Sequence, residues 1–454
     1  MLLRDYQQKA IDDIRGAFRA GFKRPLLVAP TGSGKTHLFC SVAHGAAAKG
    51  NRIIILVHRQ ELIDQVSETL KAFDVPHGFI AAGIHGSHEP VQVASVMTLV
   101  RRLDRVHAPD LLVCDEGHHA TSESFATVLN HWPNARLLGV TATPCRLTGA
   151  GLGTMFDTLI SGPTVKQLTA AGHLAPAKVY APPTISTDGM HTLMGDYLKS
   201  EISAAVDKPK VTGDAIEHYQ RLTPGQKAVV FCVSLEHARH IAEAARAAGI
   251  VAVTIDGGMD RELRRRTIAD FSRGAIQWLV TVDLVSEGFD VKDIQVGICL
   301  RPTQSLALYL QQVGRCLRTA PGKTHATILD HSNNCRRFGL PDEDREWTLD
   351  AGAIKKSKAS ERPPPVVVCV NCFSAQTPAT NCQYCGHAFP VKARKVTKVD
   401  GELTEITAAD VKAIPKIGRK ETNEEARAKL EAIARERGYK PGWVTKQMEL
   451  RHRA

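Results

Sequence analysis

The sequence contains no apolar run of about 18 residues, the length that a helix needs to cross the hydrocarbon core of a membrane. Its first residues, MLLRDYQQKAIDD, carry charge where a secretory signal peptide would need an apolar stretch. A nuclease signature of the PD-(D/E)xK kind is also absent. We therefore expect a cytoplasmic protein without a membrane span, and the missing nuclease motif argues against a self-contained restriction system.

The chain has 454 residues, which is too long for one hydrophobic core and predicts two or three domains. Its charge is unevenly distributed. Residues 351–454 carry 20 Lys and Arg against 11 Asp and Glu, whereas the first 350 residues carry 38 against 36. A nearly neutral body with a basic C-terminal extension suits a polyanionic partner, but solvated linkers are often Lys-rich as well. Charge alone leaves both interpretations open.

Ten short apolar runs alternate with helical stretches through the first 330 residues. The first five cover residues 25–30, 52–57, 91–96, 110–115 and 136–141, and the second five cover 227–233, 251–256, 277–282, 295–300 and 325–330. Continuous apolar strands that alternate with helices are typical of parallel sheets covered on both faces. The pattern predicts two similar α/β domains, separated by the weakly patterned residues 147–225.

The first of these runs leads directly into a glycine-rich segment, APTGSGKT. Gly32 and Gly34 allow the backbone to turn so that successive N–H groups point at phosphate oxygens. Lys35 would reach the terminal phosphates, and the Thr36 hydroxyl would bind Mg²⁺. Ala29 stands where the usual pattern begins with glycine. The preceding strand and the GKT sequence favour a nucleoside triphosphate site over an ordinary turn before a helix.

An acidic pair follows the fourth apolar run, in LLVCDEGHH. Asp115 can hold Mg²⁺ through water, and Glu116 is the expected base that orients the attacking water. Carboxylates at the carboxyl end of a parallel strand lie where ligands bind in such sheets. The pair therefore predicts the metal-binding and basic part of the same site.

These two signatures belong to a series that resembles superfamily 2 helicases and translocases over residues 3 to about 330. In chain order, LRDYQ resembles the Q-motif, VHRQELIDQ motif Ia, VASVMTL motif Ib, DEGHH a DExH form of motif II, TATP motif III, VVFCVSLEHA motif IV, TVDLVSEGFD motif V and QQVGRCLR motif VI. The order and spacing are those that the superfamily shows. The implied fold class is α/β, with two tandem RecA-like parallel-sheet domains, a small C-terminal zinc ribbon and a helical tail.

The expected organisation follows from this resemblance and from composition. It comprises a RecA-like ATP-binding domain at 1–160, a second RecA-like domain with a connecting segment at 161–350, a linker at 351–368, a four-cysteine ribbon at 369–390, a basic linker at 391–420 and a helical tail at 421–454.

The resemblance also implies which residues bind the nucleotide. Gln7 of the Q-motif would read the adenine edge, and Gly288 and Asp290 of motif V would contact the ribose side. The full predicted set is Arg4, Gln7, Thr31, Gly32, Ser33, Gly34, Lys35, Thr36, Gly288 and Asp290, with Mg²⁺ held by Thr36 and Asp115.

Motif VI contributes Arg315 and Arg318, which are three residues apart and would share one face of a helix. They belong to the second domain, whereas Lys35 and the acidic pair belong to the first. Arginines supplied from across a cleft stabilise the charge on a transferring phosphoryl group. Hydrolysis would then be coupled to closure of the two domains, which distinguishes a motor from a kinase. The alternative for these arginines is a surface ion pair.

Arg59 of motif Ia and Thr98 of motif Ib are expected to track a nucleic acid along its phosphates. The sequence has Glu287 where DEAD-box RNA helicases carry arginine, TATP rather than SAT, and a motif VI that opens with glutamine rather than histidine. These departures favour DExH proteins that act on DNA. His58, His118 and His119 are interpreted as coupling or packing residues rather than metal ligands.

Seven of the eleven cysteines are scattered and are interpreted as buried thiols in a reducing cytosol. They are Cys40, Cys114, Cys145, Cys232, Cys299, Cys316 and Cys335.

The remaining cysteines, Cys369, Cys372, Cys382 and Cys385, have the spacing C-x2-C-x9-C-x2-C. Two such knuckles supply four thiolates for tetrahedral Zn²⁺, and disulfides are the less favoured alternative in a cytosolic enzyme. Four sulfur ligands leave no open position, so the zinc would be structural, in an element that docks nucleic acid or protein. The whole layout resembles bacterial and phage helicases of the RadD type, which join an XPB-like motor to a four-cysteine module.

The sequence therefore predicts a DNA helicase or translocase that uses ATP, Mg²⁺ and Zn²⁺ and acts on single-stranded or branched DNA in repair, recombination or replication. Three alternatives remain: the motor subunit of a restriction system, an RNA helicase, and a protein that uses ATP only as a switch for nucleic-acid binding.

Overall fold

The structure is a computed structural model. It describes residues 3–84, 88–144, 151–181, 192–193, 196–197, 199–282, 291, 293–350 and 366–389, together with nine positions between 427 and 448.

The first layer system is built on a seven-stranded parallel sheet with the order β3-β4-β2-β5-β6-β1-β7. Its elements are α1 (Asp5–Arg19), β1 (Pro25–Val28), α2 (Lys35–Ala47), β2 (Ile53–Val57), α3 (Gln60–Ala72), β3 (His77–Ile80), β4 (Val91–Ser95), α4 (Val96–Leu99), β5 (Leu111–Asp115), α5 (Glu123–His131), β6 (Arg136–Thr141) and β7 (Thr158–Ser161).

The central strands of this sheet are buried on both faces. In β2, Ile53, Ile55 and Val57 enter one hydrophobic core, and the alternate residues Ile54 and Leu56 enter another. Side chains of a strand alternate between faces, so both faces must be covered for every residue to be apolar. The helices supply that cover, which explains why the sequence reads as continuous apolar runs.

The second layer system is built on an eight-stranded sheet with the order β12-β13-β11-β14-β15-β8-β17-β16. The elements that follow the first sheet are α6 (Val165–Ala170), β8 (Ala177–Tyr180), β9 (Thr192–Leu193), β10 (Asp196–Tyr197), α7 (Lys199–Val206), α8 (Pro209–Leu222), β11 (Ala228–Phe231), α9 (Leu235–Ala247), β12 (Ala252–Ile255), α10 (Arg261–Ser272), β13 (Trp278–Thr281), β14 (Val296–Cys299), α11 (Leu306–Cys316), β15 (Ala326–Asp330), α12 (Asn334–Phe338), β16 (Val367–Val368) and β17 (Ser374–Gln376).

All ten predicted strands are present, each within one to three residues of its predicted ends. Two parallel-sheet α/β domains are therefore confirmed. The sequence did not predict β3, β7 and β8, which extend the sheets at their edges. These strands contain His77, Ser161 and Lys178, and so they lack a continuous apolar run.

The four-cysteine segment is joined directly to the second sheet. Strand β17 pairs antiparallel with β8, with Ala375 opposite Val179, and Ala375 is part of the hydrophobic core of that sheet. The Ala181 N–H donates to the carbonyl of Phe373 at 3.0 Å, and the Phe373 ring lies 5.8 Å from the guanidinium of Arg221. The module thus covers the edge strand of a sheet rather than forming a separate body.

A second connection crosses between the sheets at residues 339–350, the return segment. After α12, the chain runs back to the first sheet, where the Leu349 carbonyl accepts from the N–H groups of Leu152 and Gly153, both at 2.9 Å. Trp347 and Leu349 pack against one core of the first sheet. The return segment is the second covalent link between the two layer systems, after residues 162–176.

The chain divides into two compact units, Met1–Val391 and Lys392–Ala454. In the second unit the nine described positions are helical, and Arg427 pairs with Glu431 at 3.1 Å. Within the part of the chain that the structure describes, no helix combines the length and apolar character needed to cross a membrane.

The interpretation of the scattered cysteines is confirmed for six of the seven. Cys40, Cys114, Cys232, Cys299, Cys316 and Cys335 are buried free thiols, and Cys145 lies outside the described residues.

Candidate active site and metal centre

The glycine-rich loop connects β1 to α2. Gly32 and Gly34 have φ values of +86° and +76°, which side chains disfavour, and helix α2 begins at Lys35. A Cβ on Gly34 would lie 2.5 Å from Nε2 of Gln7, so a larger residue there would displace the Gln7 side chain. The loop therefore ends at a helix N-terminus, the arrangement that binds phosphate through backbone N–H groups.

The Lys35 side chain folds back over this loop. Its Nζ donates to the carbonyls of Ala29 at 3.1 Å and Pro30 at 3.3 Å. Burial lowers the pKa of Lys35, and the carboxylates of Glu116 and Asp115 oppose that shift. Carbonyls are weaker partners for an ammonium group than phosphate oxygens are, so the amine is available for a bound anion.

The Q-motif residues contact the back of the loop. Gln7 Nε2 donates to the carbonyls of Ser33 and Gly34, both at 3.3 Å, and its Oε1 accepts from the Arg4 N–H at 3.0 Å. Tyr6, which the sequence did not single out, donates its hydroxyl to the Ser33 carbonyl at 2.9 Å. These contacts hold the loop in shape, and the role of Gln7 toward adenine stays a prediction.

The acidic pair lies at the carboxyl end of β5. Asp115 is the last residue of the strand, and Glu116 follows it with a φ of +51°. Burial raises the pKa of the Asp115 carboxyl, the negative charge of Glu116 raises it further, and Lys35 acts in the opposite direction. A buried carboxylate and a partly buried one next to one lysine form a site that a divalent cation would neutralise.

His118 links Glu116 to motif III. Its Nδ1 lies 3.3 Å from Oε2 of Glu116 and 3.1 Å from Oγ1 of Thr141. The Thr141 hydroxyl donates to the Thr143 carbonyl at 3.0 Å, so it accepts from His118 rather than donating. Motifs II and III are thereby joined through one imidazole, which fixes the orientation of the Glu116 carboxylate.

Motif VI reaches the loop from the second sheet. Gly314 packs against Thr31, since a Cβ on Gly314 would lie 2.7 Å from the Thr31 Cβ. Arg315 is buried, and the charges of Arg315 and Arg318 both contribute to the lowered pKa of Lys35. The structure therefore brings together Lys35, the acidic pair and both arginines at one seam between the two sheets.

One detail of motif VI differs from the sequence-based expectation. Helix α11 ends at Cys316, so Arg318 lies beyond the helix and not on a common helical face with Arg315. Its backbone instead pairs with Leu174. The helix ends here because the backbone carbonyls of residues 316–318 accept hydrogen bonds from groups outside it. The chain changes direction at this point, and both arginines are thereby brought towards the loop.

A cavity of about 100 Å³ lies along the same seam. It is lined by Thr31 of the loop, by Leu310 and Gly314 of α11, and by Arg345 and Trp347 of the return segment. The return segment is therefore part of the wall of the seam. Neither Arg345 nor Trp347 belongs to a sequence motif, so the sequence did not predict that the return segment lines the cavity.

The predicted nucleic-acid residues lie at the carboxyl ends of two neighbouring strands of the first sheet. Arg59 lies two residues after β2, at the N-cap position of α3, and Thr98 lies in α4, directly after β4. Strands β2 and β4 are paired, with Val57 opposite Ser95, so both residues follow the carboxyl ends of neighbouring strands. The rings of His58 and His119 are 5.2 Å apart, which places the end of β2 next to motif II.

Of four further residues predicted to bind the nucleotide, the structure describes two. Thr36 is the second residue of α2, and Ser33 is buried within the loop. Gly288 and Asp290 lie outside the described residues.

The four cysteines form a compact cluster. Their Sγ atoms all lie within 4.8 Å of one another, with 3.6 Å between Cys369 and Cys385 and 3.7 Å between Cys372 and Cys382. Tetrahedral Zn²⁺ with Zn–S bonds of about 2.3 Å requires sulfurs roughly 3.8 Å apart. The Ser374 hydroxyl contacts the sulfurs of Cys372 and Cys382 at 3.1 and 3.2 Å. The donor set and its spacing fit a zinc ion.

Comparison with known families agrees with this geometry. Residues 1–146 match the family described as "Type III restriction enzyme, res subunit", and residues 208–320 match the "Helicase conserved C-terminal domain". The first match covers the loop and the acidic pair, and the second covers Arg315 and Arg318. The chain is a superfamily 2 helicase. It is accordingly a nucleic-acid-dependent ATPase, whose two motor domains are the two sheets described above.

Relatives of this helicase include phage and eukaryotic proteins. A 51.5 kDa protein of Lactococcus phage (isolate 7-9) is 34% identical over 390 residues, which cover 85% of this chain and 83% of the phage protein. A Saccharomyces cerevisiae protein provisionally named ATP-dependent helicase IRC3 is 27% identical. That match covers 72% of this chain and 51% of the yeast protein, so the helicase spans about half the length of this relative.

A solved structure shares the fold. The fragment structure of an HsdR subunit, provisionally assigned to a type I restriction enzyme of Vibrio vulnificus YJ016, superposes with a TM-score of 0.60 at 22% identity. The superposition covers 75% of this chain and 66% of that chain. At this identity the likeness concerns the arrangement of the two sheets.

Proposed function

We propose that this helicase hydrolyses ATP at the seam between its two sheets in order to translocate along DNA or remodel it. The observation that carries the proposal is the convergence of Lys35 and the acidic pair from the first sheet with Arg315 and Arg318 from the second. A site assembled from two domains is complete only when they are closed, so turnover is coupled to domain motion.

Each residue has a proposed task at the transferred phosphoryl group. Lys35 binds the terminal phosphate, and Glu116, oriented by His118, accepts a proton from the attacking water. Arg315 and Arg318 neutralise charge that develops on the phosphoryl oxygens. These tasks are distributed over two sheets, so opening the seam removes the arginines and stops hydrolysis.

We propose that Thr36 and Asp115 hold Mg²⁺. The repulsion between Asp115 and Glu116, which raises the pKa of Asp115 together with burial, is the feature that suits a divalent cation. When bound, the metal supplies positive charge to the phosphate oxygens. The chain itself positions the carboxylate by ending β5 at Asp115.

We propose DNA as the nucleic acid. The TATP sequence of motif III and the glutamine that opens motif VI support this, as does the match to the family named after a restriction enzyme. Repair, recombination or replication in the cytoplasm is the proposed setting. The alternatives are a restriction motor, favoured by the likeness to the HsdR fragment, and an RNA helicase.

We propose that the four cysteines hold a structural Zn²⁺. The spacing of the sulfurs supports this, and the join between β17 and β8 gives the ion a further role. A zinc ion that stabilises the module would also stabilise the covered edge of the second motor domain.

The proposal is tested by measuring ATP hydrolysis with single-stranded, duplex and forked DNA and with RNA of the same sequence, each against a reaction without nucleic acid. Strand separation of the forked substrate is measured in parallel. We expect DNA to stimulate hydrolysis more than RNA does. Stimulation by duplex without strand separation identifies a translocase, and stronger stimulation by RNA overturns the DNA proposal. No stimulation by any polymer contradicts the motor function altogether.

A further inference from the structure

Lys323 occupies the turn between α11 and β15 and directs its amine inward. Nζ donates to three backbone carbonyls: Ile294 at 2.6 Å, Cys316 at 2.5 Å and Arg318 at 2.8 Å. An ammonium group has three protons, so every donor is used. No motif of the sequence includes this lysine.

One of these carbonyls, that of Cys316, belongs to the last residue of α11, and that of Arg318 lies two residues beyond it. The last carbonyls of an α-helix have no partner inside the helix and need one outside it. Cys316 and Arg318 receive theirs from Lys323, and the Leu317 carbonyl between them accepts from the Ala175 N–H at 2.7 Å. Three consecutive carbonyls are therefore fixed by groups outside α11, directly after Arg315.

The charge of Lys323 also suits its place. A cation at the C-terminus of a helix is stabilised by the helix dipole. Burial lowers the pKa of Lys323, whereas the nearby Cys316 and Asp293 oppose that shift. Because its three hydrogen bonds leave little rotational freedom, the lysine acts as a rigid tie between the helix end and the segment before β14.

We propose that Lys323 is a positioning residue for ATP hydrolysis, which holds the end of α11 so that Arg315 and Arg318 point at the phosphate-binding loop. The proposal rests on the function assigned above to the two arginines. Among the residues that the structure describes, the amine of Lys323 bonds to three backbone carbonyls of the second domain, including that of Arg318, so it acts through the backbone and not on the nucleotide.

This role predicts a specific kinetic pattern. If Lys323 acts only through the arginines, its loss weakens the transition state and leaves ground-state nucleotide binding intact. A displacement of about 1 Å at a reacting group can lower the rate roughly 100-fold. We therefore expect Lys323→Met to lower kcat by about 10- to 100-fold and to change KM for ATP less than about 3-fold.

The test compares Lys323→Met with Lys323→Gln, which keeps two donors if the methionine variant fails to fold, and with Lys323→Arg, which keeps the charge. Arg246→Met is the matched control, because Arg246, in the last turn of α9, also donates to a carbonyl of the second domain, that of Ala252 at 3.0 Å, but not at the end of α11. Kinetics are paired with the affinity for ADP–aluminium fluoride, a transition-state analogue, and for ADP.

We expect Lys323→Met to weaken binding of ADP–aluminium fluoride while ADP binding stays within about 2-fold, and Lys323→Arg to restore part of the loss. In a background of Arg315→Ala and Arg318→Ala, adding Lys323→Met should change neither affinity by more than about 2-fold. An equal loss in that background, or an equal loss of kcat in Arg246→Met, overturns the proposal.

If the proposed function itself is wrong, the same experiment gives a different result. Arg315→Ala alone should lower kcat by about 10³-fold, the scale of an arginine finger. If Arg315→Ala leaves kcat unchanged, the arginine role itself is wrong. If Arg315→Ala is slow and Lys323→Met is as fast as the unmodified protein, only the positioning role is wrong.

Discussion

The first sheet places a lysine and two carboxylates at the carboxyl ends of its strands, whereas the second sheet contributes arginines from a helix that follows its strands. Both sheets are buried on both faces by helices. Their edges differ as well: the first ends at β3 and β7, and the second is extended by the four-cysteine module. Two similar cores thus carry different tasks, nucleotide binding in one and completion of the site in the other.

The difference has a physical basis. Asp115 and Glu116 repel each other and need a cation nearby, so the first sheet is organised around an ionic site. Two histidines of the second domain, His237 and His331, are buried and neutral. These two side chains therefore contribute to packing in the second domain, whereas its arginines are proposed to act at the site on the first sheet.

The largest expected effect comes from removing the charge on the first sheet. Lys35→Ala should lower kcat by at least about 10³-fold, because the residue acts directly on the transferred phosphate. Unlike Arg315→Ala, it should also weaken ATP binding, since Lys35 belongs to the loop that binds the ground state. Steady-state hydrolysis and binding of a fluorescent ATP analogue measure the two effects.

Lys9→Ala is a suitable control, because this exposed lysine of α1 pairs with Asp13 in an i, i+4 contact on the same helix. A Lys35→Ala variant with normal turnover would show that the phosphate site lies elsewhere.

A smaller effect should follow from removing metal at the outer edge of the second sheet. A chelator should unfold residues 366–389 and lower the Tm by several degrees, because β17 would no longer cover β8. Basal ATP hydrolysis should stay measurable, since the seam lies elsewhere on the sheet. Hydrogen exchange of β17 and β8 peptides, thermal unfolding and hydrolysis are measured together.

Cys385→Ser provides the control, because a variant that no longer holds the ion should show little further change with chelator. Complete loss of hydrolysis on chelation would contradict the separation between the module and the ATP site.

The smallest effect concerns acid stability of the second domain. Burial lowers the pKa of His237 to about 4, with Asp207 opposing and His240 adding to the shift, and burial together with His218 lowers that of His331 to about 3. The unfolded pKa is about 6.5. Above that pH both imidazoles are neutral in the folded and in the unfolded chain. As the pH falls from 6.5 toward 4, only the unfolded chain takes up the protons. The free energy of unfolding therefore decreases over this range.

At pH 5.5 each histidine should reduce the free energy of unfolding by about 1 kcal/mol relative to pH 7.5. Urea unfolding at the two pH values measures the change. His237→Gln and His331→Gln should each remove part of the pH dependence, and an unaltered dependence in both variants would assign it to other groups.

Much of this architecture could be predicted from the sequence, because the signals are local. Apolar runs such as Ile53–Val57 predict buried strands wherever the partners lie, and the spacing of Cys369, Cys372, Cys382 and Cys385 predicts a metal cluster without knowledge of the fold. The same holds for the glycine-rich loop, whose positive φ values at Gly32 and Gly34 match the residue type.

What the sequence did not predict depends on distant pairing. The three residues of β17, Ser374–Gln376, form a strand by pairing with β16 on one side and with β8 on the other. Lys323 has a role only because Ile294 and Arg318 come within reach of its amine. The end of α11 before Arg318 likewise depends on contacts that no helical periodicity reports.

The return segment has a consequence for how the motor can move. The two halves are joined by peptide chain at 162–176 and again at 339–350, where Leu349 is bonded to Leu152 and Gly153. The chain crosses once more between Asp350 and the four-cysteine module on the second sheet, so three stretches of chain limit how far the halves can separate. Each turnover should then return the arginines to the same register over the phosphates, so that the stroke of the motor is set by the chain itself.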